Sequence, residues 1–217
     1  MSVRALILMG AGGHGKVLMD LATQAGWDVV GVCDPQLADQ GVSAWRGVPV
    51  IGKDDALSDY RPELYGLING LGSLPGQDRR RALFQRLTAQ GYSFPTLVHP
   101  TAVVGDGVEL EAGVQVMAGV VLQADVVVGL NSIVNTRASL DHDCRIGAHC
   151  HIAPAAVLCG SVVLGEGTHV GAGANVIQGI SVGEGAVIGA GTTVLRDVAA
   201  WHKLVGRRNA VRIGERQ

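Results

Sequence analysis

The chain has 217 residues, enough for one large or two modest domains, with 17 Lys+Arg against 19 Asp+Glu and a formal charge of −2. That balance argues against a nucleic-acid protein, which is usually basic. The mean hydropathy of +0.29 looks membrane-like, but Gly, Asp, Glu and Asn interrupt every apolar run short of eighteen residues, so no spanning helix is expected. Four cysteines (Cys33, Cys144, Cys150, Cys159) lack CxxC spacing, which speaks against zinc and for reduced thiols in a cytoplasmic protein. The start, Met1 to Lys16, is too Gly-rich and its apolar part too short for a signal peptide.

Val3 to Met9 is an apolar run that reads as a buried parallel strand. Gly10-Ala11-Gly12-Gly13-His14-Gly15 follows, then Lys16 to Ala25 with apolar residues at helical spacing. Trp27 to Cys33 reads as a second strand ended by Asp34-Pro35. Val48 to Gly52 reads as a turn back toward the sheet, Asp54 to Tyr60 as a short helix, and Leu64 to Asn69 as a third strand. Asp78 to Gln90 reads as a basic amphipathic helix with Leu83, Phe84 and Leu87 on one face. This order predicts a small Rossmann-like α/β domain with a parallel sheet over residues 1–97.

The glycine turn satisfies GxGxxG between a strand and a helix, where diphosphates meet backbone N–H groups. Asp34 ends the next strand, where a ribose-binding carboxylate would stand. The literal reading is a dinucleotide dehydrogenase. A full dinucleotide fold needs two mononucleotide halves, and 97 residues hold only one, so one nucleotide diphosphate fits better. Asn69 and Gly70, at the end of the third strand, would face the same crevice. Arg79 to Arg81 could meet phosphate, although at least two of the three read as a solvated helix face.

From Val98 to Val194 every sixth residue is Val, Leu or Ile, seventeen in register. Helices and strands have side-chain periods of 3.6 and 2; a period of six marks a β-helix whose anchors stack inward. Gly follows the anchor at Gly105, Gly129, Gly147, Gly165, Gly171, Gly183 and Gly189, where tight turns are expected. The repeat is expected over 98–198, with 199–217 as a capping tail.

GAGGHGK at Gly10 to Lys16, Asp34, the Asn69 to Ser73 loop, Val98 to Ala102 (VHPTA) and the hexads together resemble the bacterial hexapeptide-class sugar acetyltransferases. That family includes N-acetyltransferases of nucleotide-linked 4-amino-sugars (bacillosamine and perosamine pathways) and sialic-acid O-acetyltransferases. The resemblance covers almost the whole chain. It implies a left-handed β-helix, a homotrimer with acetyl-CoA bound between neighbouring helices, and a nucleotide-sugar held by the N-terminal domain, for which Gly12, Gly13, His14, Asp34, Asn69 and Gly70 are the candidates; no metal is expected, since His142, His149 and His151 lie on different flat faces and diverge.

Between Asp141 and His151 the outer face changes to Asp-His-Asp-Cys-Arg-Ile-Gly-Ala-His-Cys-His. Acyl transfer needs a base of near-neutral pKa, which imidazole supplies, and a carboxylate on its other nitrogen fixes the tautomer. The resemblance maps the base onto His142 with Asp143 as its carboxylate, His151 near the acetyl group, and Gly160 N–H onto the thioester oxygen. Ala172 and Ala190 map to the CoA channel. His149 has no matching role and reads as an exposed turn residue. The family commonly ends in Gly-x-Pro-Ala-Lys/Arg; here Gly206 to Arg212 lacks the proline. The activity expected is N-acetylation of the 4-amino group of a GDP- or UDP-linked amino-dideoxy sugar. O-acetylation of a sialic acid is the alternative, and a non-enzymatic or metal-binding β-helix a more distant one.

Overall fold

The computed structural model describes residues 5–206. The N-terminal domain contains β1 (Ala5–Met9), α1 (Gly13–Gln24), β2 (Asp28–Cys33), α2 (Pro35–Asp39), β3 (Ala44–Trp45), β4 (Val48–Gly52), β5 (Tyr65–Asn69) and α3 (Arg79–Ala89). Asp54–Asp59 is a 3-10 helix. The sheet order is β3-β4-β2-β1-β5. All pairs are parallel except the β3–β4 hairpin. The expected turn at Val48–Gly52 is therefore a strand, and the sheet is mixed rather than wholly parallel. Its two inner faces divide cleanly along β1. Leu6 and Leu8 join Leu18, Leu21 and Val32 in a core continuous with the β-helix. Ile7 and Met9 join Cys33, Leu67, Phe84 and Leu87 on the other side. Side chains alternate across a strand, so one apolar run serves both layers.

Two-residue strands then form three parallel sheets from Leu97–Val98 to Lys203–Leu204. Up to Thr193–Val194, strands pair eighteen residues apart, as in Val121↔Ser139↔Val157. Three hexads thus make one triangular coil of a left-handed parallel β-helix. The last rung, Lys203–Leu204 on Val187–Ile188, lies within the segment expected to be only a tail.

The anchors from Val116 to Val194 are no more than 3% exposed. Burying each contributes about 1.5–3 kcal/mol gross, so the stack is its own core. Val104, in the first coil, is 43% exposed, because no coil lies beneath it.

The turns are made elsewhere than expected. Positive φ falls three residues after each anchor from Val104 to Ile188, from Gly107 through Asp125, Asn131, Arg137, Asp143 and His149 to Gly191. The glycines directly after the anchors answer a different demand. A Cβ on Gly147 would meet Glu166 N at 2.7 Å, and one on Gly165 would meet Glu184 N at 2.4 Å. They are there because successive coils approach closely, backbone to backbone.

The face bearing Gln115, His151 and His169 is face one, that bearing Ser139 and Asn175 is face two, and that bearing Arg145 is face three. The N-terminal domain packs on face one.

Candidate active site

The glycine turn separates into two kinds of residue. A Cβ on Gly15 or Gly70 would lie 2.4 or 2.3 Å from Gly10 O, so these glycines let β1, α1 and β5 meet. Gly12 and Gly13 are exposed, with nothing within 4 Å of an added Cβ. They open the α1 N-terminus, whose unpaired N–H groups and dipole favour an anion. Asp34 does not extend freely into that space. Its Oδ2 accepts from Ala11 N at 2.8 Å and its Oδ1 caps α2 through Leu37 N at 3.0 Å.

Asn69, expected to line the crevice, is 1% exposed. Its Nδ2 donates to Arg80 O and to Asn131 Oδ1, and its Oδ1 accepts from Leu71 N. The amide is spent on joining the domains and does not line the crevice. Gly70 is likewise buried.

Arg80 is the residue that sequence reasoning missed. It is 4% exposed and donates to three backbone carbonyls: Asn69 O, Leu71 O and Asn131 O. These belong to β5, to the following loop and to a turn of the β-helix. Burial lowers its pKa to about 9. Among the described residues its salt-bridge partner is absent, so carbonyl dipoles alone compensate the charge. Neighbouring Arg81 pairs with Glu166 of the β-helix at 2.5 Å, and Arg79 is exposed.

His149 corrects a second expectation. It is half-buried, with Nδ1 2.9 Å from Asn131 Nδ2 and its ring edge-on to Phe84 at 5.7 Å. Burial lowers its pKa. No local pattern reveals this, since its partners come from the turn eighteen residues back and from α3.

His151 also stands on face one. Its Nδ1 donates to Ser73 O at 2.9 Å and its Nε2 accepts from Asn135 Nδ2 at 3.2 Å. The Asn135 amide is oriented by Thr136 N on its Oδ1. Both imidazole nitrogens are occupied, and burial lowers the pKa to about 4. His14, in the first turn of α1, bonds Gln115 at 2.8 Å. Burial, with the Arg80 charge added, lowers its pKa to about 4.

His142 and Asp143 occupy the corner between faces two and three. His142 Nδ1 lies 2.7 Å from Asp143 Oδ2, and Asp141 Oδ1 accepts from His142 N at 2.9 Å. The Asp143 carboxylate therefore reaches the ring. Asp143 takes the positive-φ turn position, which Asp tolerates better than most residues, and this aims the carboxylate back at the preceding side chain. The Asp143 hydrogen bond, then the field of Asp141, raises the His142 pKa. With Nδ1 engaged, Nε2 is the free nitrogen. It lies over Gly160 one coil on, where an added Cβ would be 2.6 Å from both Nε2 and Cε1. Gly160 N–H has no hydrogen-bond partner among the described residues.

The expected residues thus fall into three groups within one chain. Gly12, Gly13, His14 and His151 gather on face one. His142, Asp143 and Gly160 gather at the corner of faces two and three. Ala172 and Ala190 are exposed at the corner of faces one and two, with face two between them and His142. The stretch Arg207 to Arg212 lies outside the described residues. Among those residues no three His, Cys, Asp or Glu side chains are grouped as metal ligands, and no helix is long and apolar enough to cross a membrane.

A β-helix of stacked hexads preceded by a small α/β domain is the architecture of a hexapeptide-repeat transferase. Residues 5–87 match the PglD N-terminal domain model, and residues 161–196 match the bacterial transferase hexapeptide (six repeats) model. The chain is similar to PerB from Caulobacter crescentus, solved with CoA and GDP-perosamine. The two share 37% identity over 94% of this chain and 95% of that one, with a TM-score of 0.84. It is similar, too, to the acetyltransferase domain of PglB from Neisseria gonorrhoeae, solved with acetyl coenzyme A. There the identity is 35% over 94% of this chain and 97% of the other, with a TM-score of 0.85. No curated protein sequence matches. The chain belongs to the bacterial hexapeptide-repeat sugar acetyltransferase family.

Proposed function

We propose that the protein transfers acetyl from acetyl-CoA to the 4-amino group of a GDP- or UDP-linked amino-dideoxy sugar. The observation that carries this reading is the His142–Asp143 pair standing over Gly160. The relatives support the chemistry: one was solved with CoA and GDP-perosamine, the other with acetyl coenzyme A.

In this reading the neutral sugar amine attacks the thioester carbonyl carbon. Its lone pair forms the C–N bond while His142 Nε2 accepts one amine proton. Asp143 holds the tautomer with Nε2 free and stabilises the imidazolium as it forms. Gly160 N–H, without a partner in the chain, can donate to the developing oxyanion, a contact typically worth about 10²–10³ in rate. Collapse of the adduct breaks the C–S bond, and the thiolate leaves with the proton as CoA thiol.

The nucleotide diphosphate binds at the open Gly12–Gly13 turn, where the α1 N-terminus faces it. The position of Ala172 and Ala190, a full face away from His142, supports a site completed by a second copy of the chain. A homotrimer of parallel β-helices does this, setting one copy's His142 corner against the next copy's Ala172 corner. Four free cysteines fit a cytoplasmic location. O-acetylation of a sialic acid remains the competing activity. Thiol release from acetyl-CoA, measured against UDP-, GDP- and dTDP-linked 4-amino-sugars and a sialic acid, tests the reading. Turnover restricted to a 4-amino-sugar, with an amide in the product, supports it; turnover restricted to the sialic acid overturns it.

A further inference from the structure

Two of the histidines at the interface between the domains, His14 and His151, have surroundings that differ in one respect. His151 has both ring nitrogens engaged, by Ser73 O and Asn135 Nδ2. His14 has one engaged, its Nε2, at 2.8 Å from Gln115 Oε1. Its Nδ1 has no partner among the described residues.

The protonation of His14 follows from its neighbour. Gln115 is 2% exposed, and its Nε2 donates to Asn69 O at 3.0 Å. A carbonyl oxygen can only accept, so the Gln115 amide is held with its nitrogen toward β5 and its oxygen toward His14. That oxygen can also only accept, so His14 carries its proton on Nε2. A neutral imidazole has one donor and one acceptor nitrogen, which leaves Nδ1 as a bare lone pair. Asn69 O is itself held by Arg80 Nη1 at 2.8 Å, so the chain of bonds is anchored in the interdomain clamp.

His14 stands next to Gly12 and Gly13. A diphosphate there finds its donors in the α1 N-terminus, and an imidazole lone pair offers it nothing but repulsion. The group that meets Nδ1 must carry its own proton. We propose that Gln115, from the β-helix, is a positioning residue that fixes the tautomer of His14. The glycine turn thereby presents a hydrogen-bond acceptor to an O–H or N–H of the sugar, beside the donors that hold its diphosphate. Gln115 thus contributes to sugar recognition without touching the sugar. This rests on the nucleotide-sugar reading above for its ligand, but not for its tautomer.

Two measurements test it. In full-length ¹⁵N-labelled protein without ligand, the imidazole nitrogens of His14 are to be read by long-range ¹H–¹⁵N correlation. Protonation at Nε2 alone is the expected result; a proton on Nδ1 overturns the proposal whatever the substrate. Gln115→Met, of similar length, loses the amide oxygen that enforces the single tautomer, since a thioether sulfur accepts only weakly. One net hydrogen bond to the sugar is worth about 0.5–1.5 kcal/mol, so KM for the best 4-amino-sugar of the panel is expected to rise about 2–13-fold. KM for acetyl-CoA and kcat stay within about twofold. An unchanged sugar KM, or an equal loss in both KM values, overturns the recognition role. Should Gln115→Met fail to fold, titrating the wild-type protein with that sugar decides the question. The Nδ1 resonance must shift with the intact nucleotide-sugar and not with the free nucleoside diphosphate; any other pattern overturns the role. If no panel sugar is acetylated, the function falls, while the ligand-free spectrum still judges the tautomer.

Discussion

Gly160→Ala separates catalysis from folding at a single methyl group. The added Cβ would stand 2.6 Å from His142 Nε2 and Cε1, against about 3.5–4.0 Å for an ordinary contact between carbons. The ring must therefore move by about 1 Å. It can do so cheaply, because the His142 side chain is 59% exposed and Gly160 lies outside the positive-φ set. Replacing Gly by Ala also reduces unfolded-state entropy, worth about 0.4–1 kcal/mol where the backbone is compatible. Stability is expected to stay within about 1 kcal/mol of the parent. Catalysis has no such tolerance: a misplacement of about 1 Å costs on the order of 10²-fold. The assay is thiol release from acetyl-CoA at saturating sugar, beside a thermal melt. A kcat about 100-fold lower with an unmoved melting temperature is expected. Full kcat would refute a catalytic role for the contact between Gly160 and His142, and a collapse in stability would contradict the freedom of the ring.

The raised pKa of His142 sets the sign of the pH dependence. A general base works neutral, so kcat/KM falls as pH drops through that pKa, above the ordinary imidazole value of about 6.5. Asp143→Asn removes the main cause of the shift, so the acidic limb moves to lower pH while kcat falls; a limb that stays put contradicts the assignment. Gly15→Ala drives a Cβ to 2.4 Å from Gly10 O, backbone that cannot yield, and is expected to cost about 1–3 kcal/mol as overpacking, read by denaturant unfolding. Gly12→Leu meets open space, so stability should hold while the sugar KM rises; an unchanged KM removes the nucleotide from that turn. Ile152→Ala, in the anchor stack, should cost about 2–5 kcal/mol.

The architecture was legible because every coil repeats one demand, an inward aliphatic residue, and the period of six survives in the sequence. The period alone did not say which residue makes the turn. Gly147 and Asp143 both recur in register, yet Asp143 has positive φ while Gly147 answers to Glu166 in the next coil. His142 and Asp143 were legible because they are chain neighbours, so their hydrogen bond needs no tertiary information. Asn69, Arg80 and His149 were not. Arg80 reads as one more cation on a basic helix, and its carbonyl partners at Leu71 and Asn131 exist only once the domains have met. The β3–β4 hairpin escaped because its first strand is two residues long.

The most direct test of the account is His142→Ala, assayed with acetyl-CoA and the 4-amino-sugar that the parent protein prefers. Loss of a general base lowers kcat by roughly 10²–10⁴-fold, with the sugar KM nearly unchanged if, as proposed, the N-terminal domain holds the nucleotide. A variant that keeps full kcat would contradict the proposed role of His142.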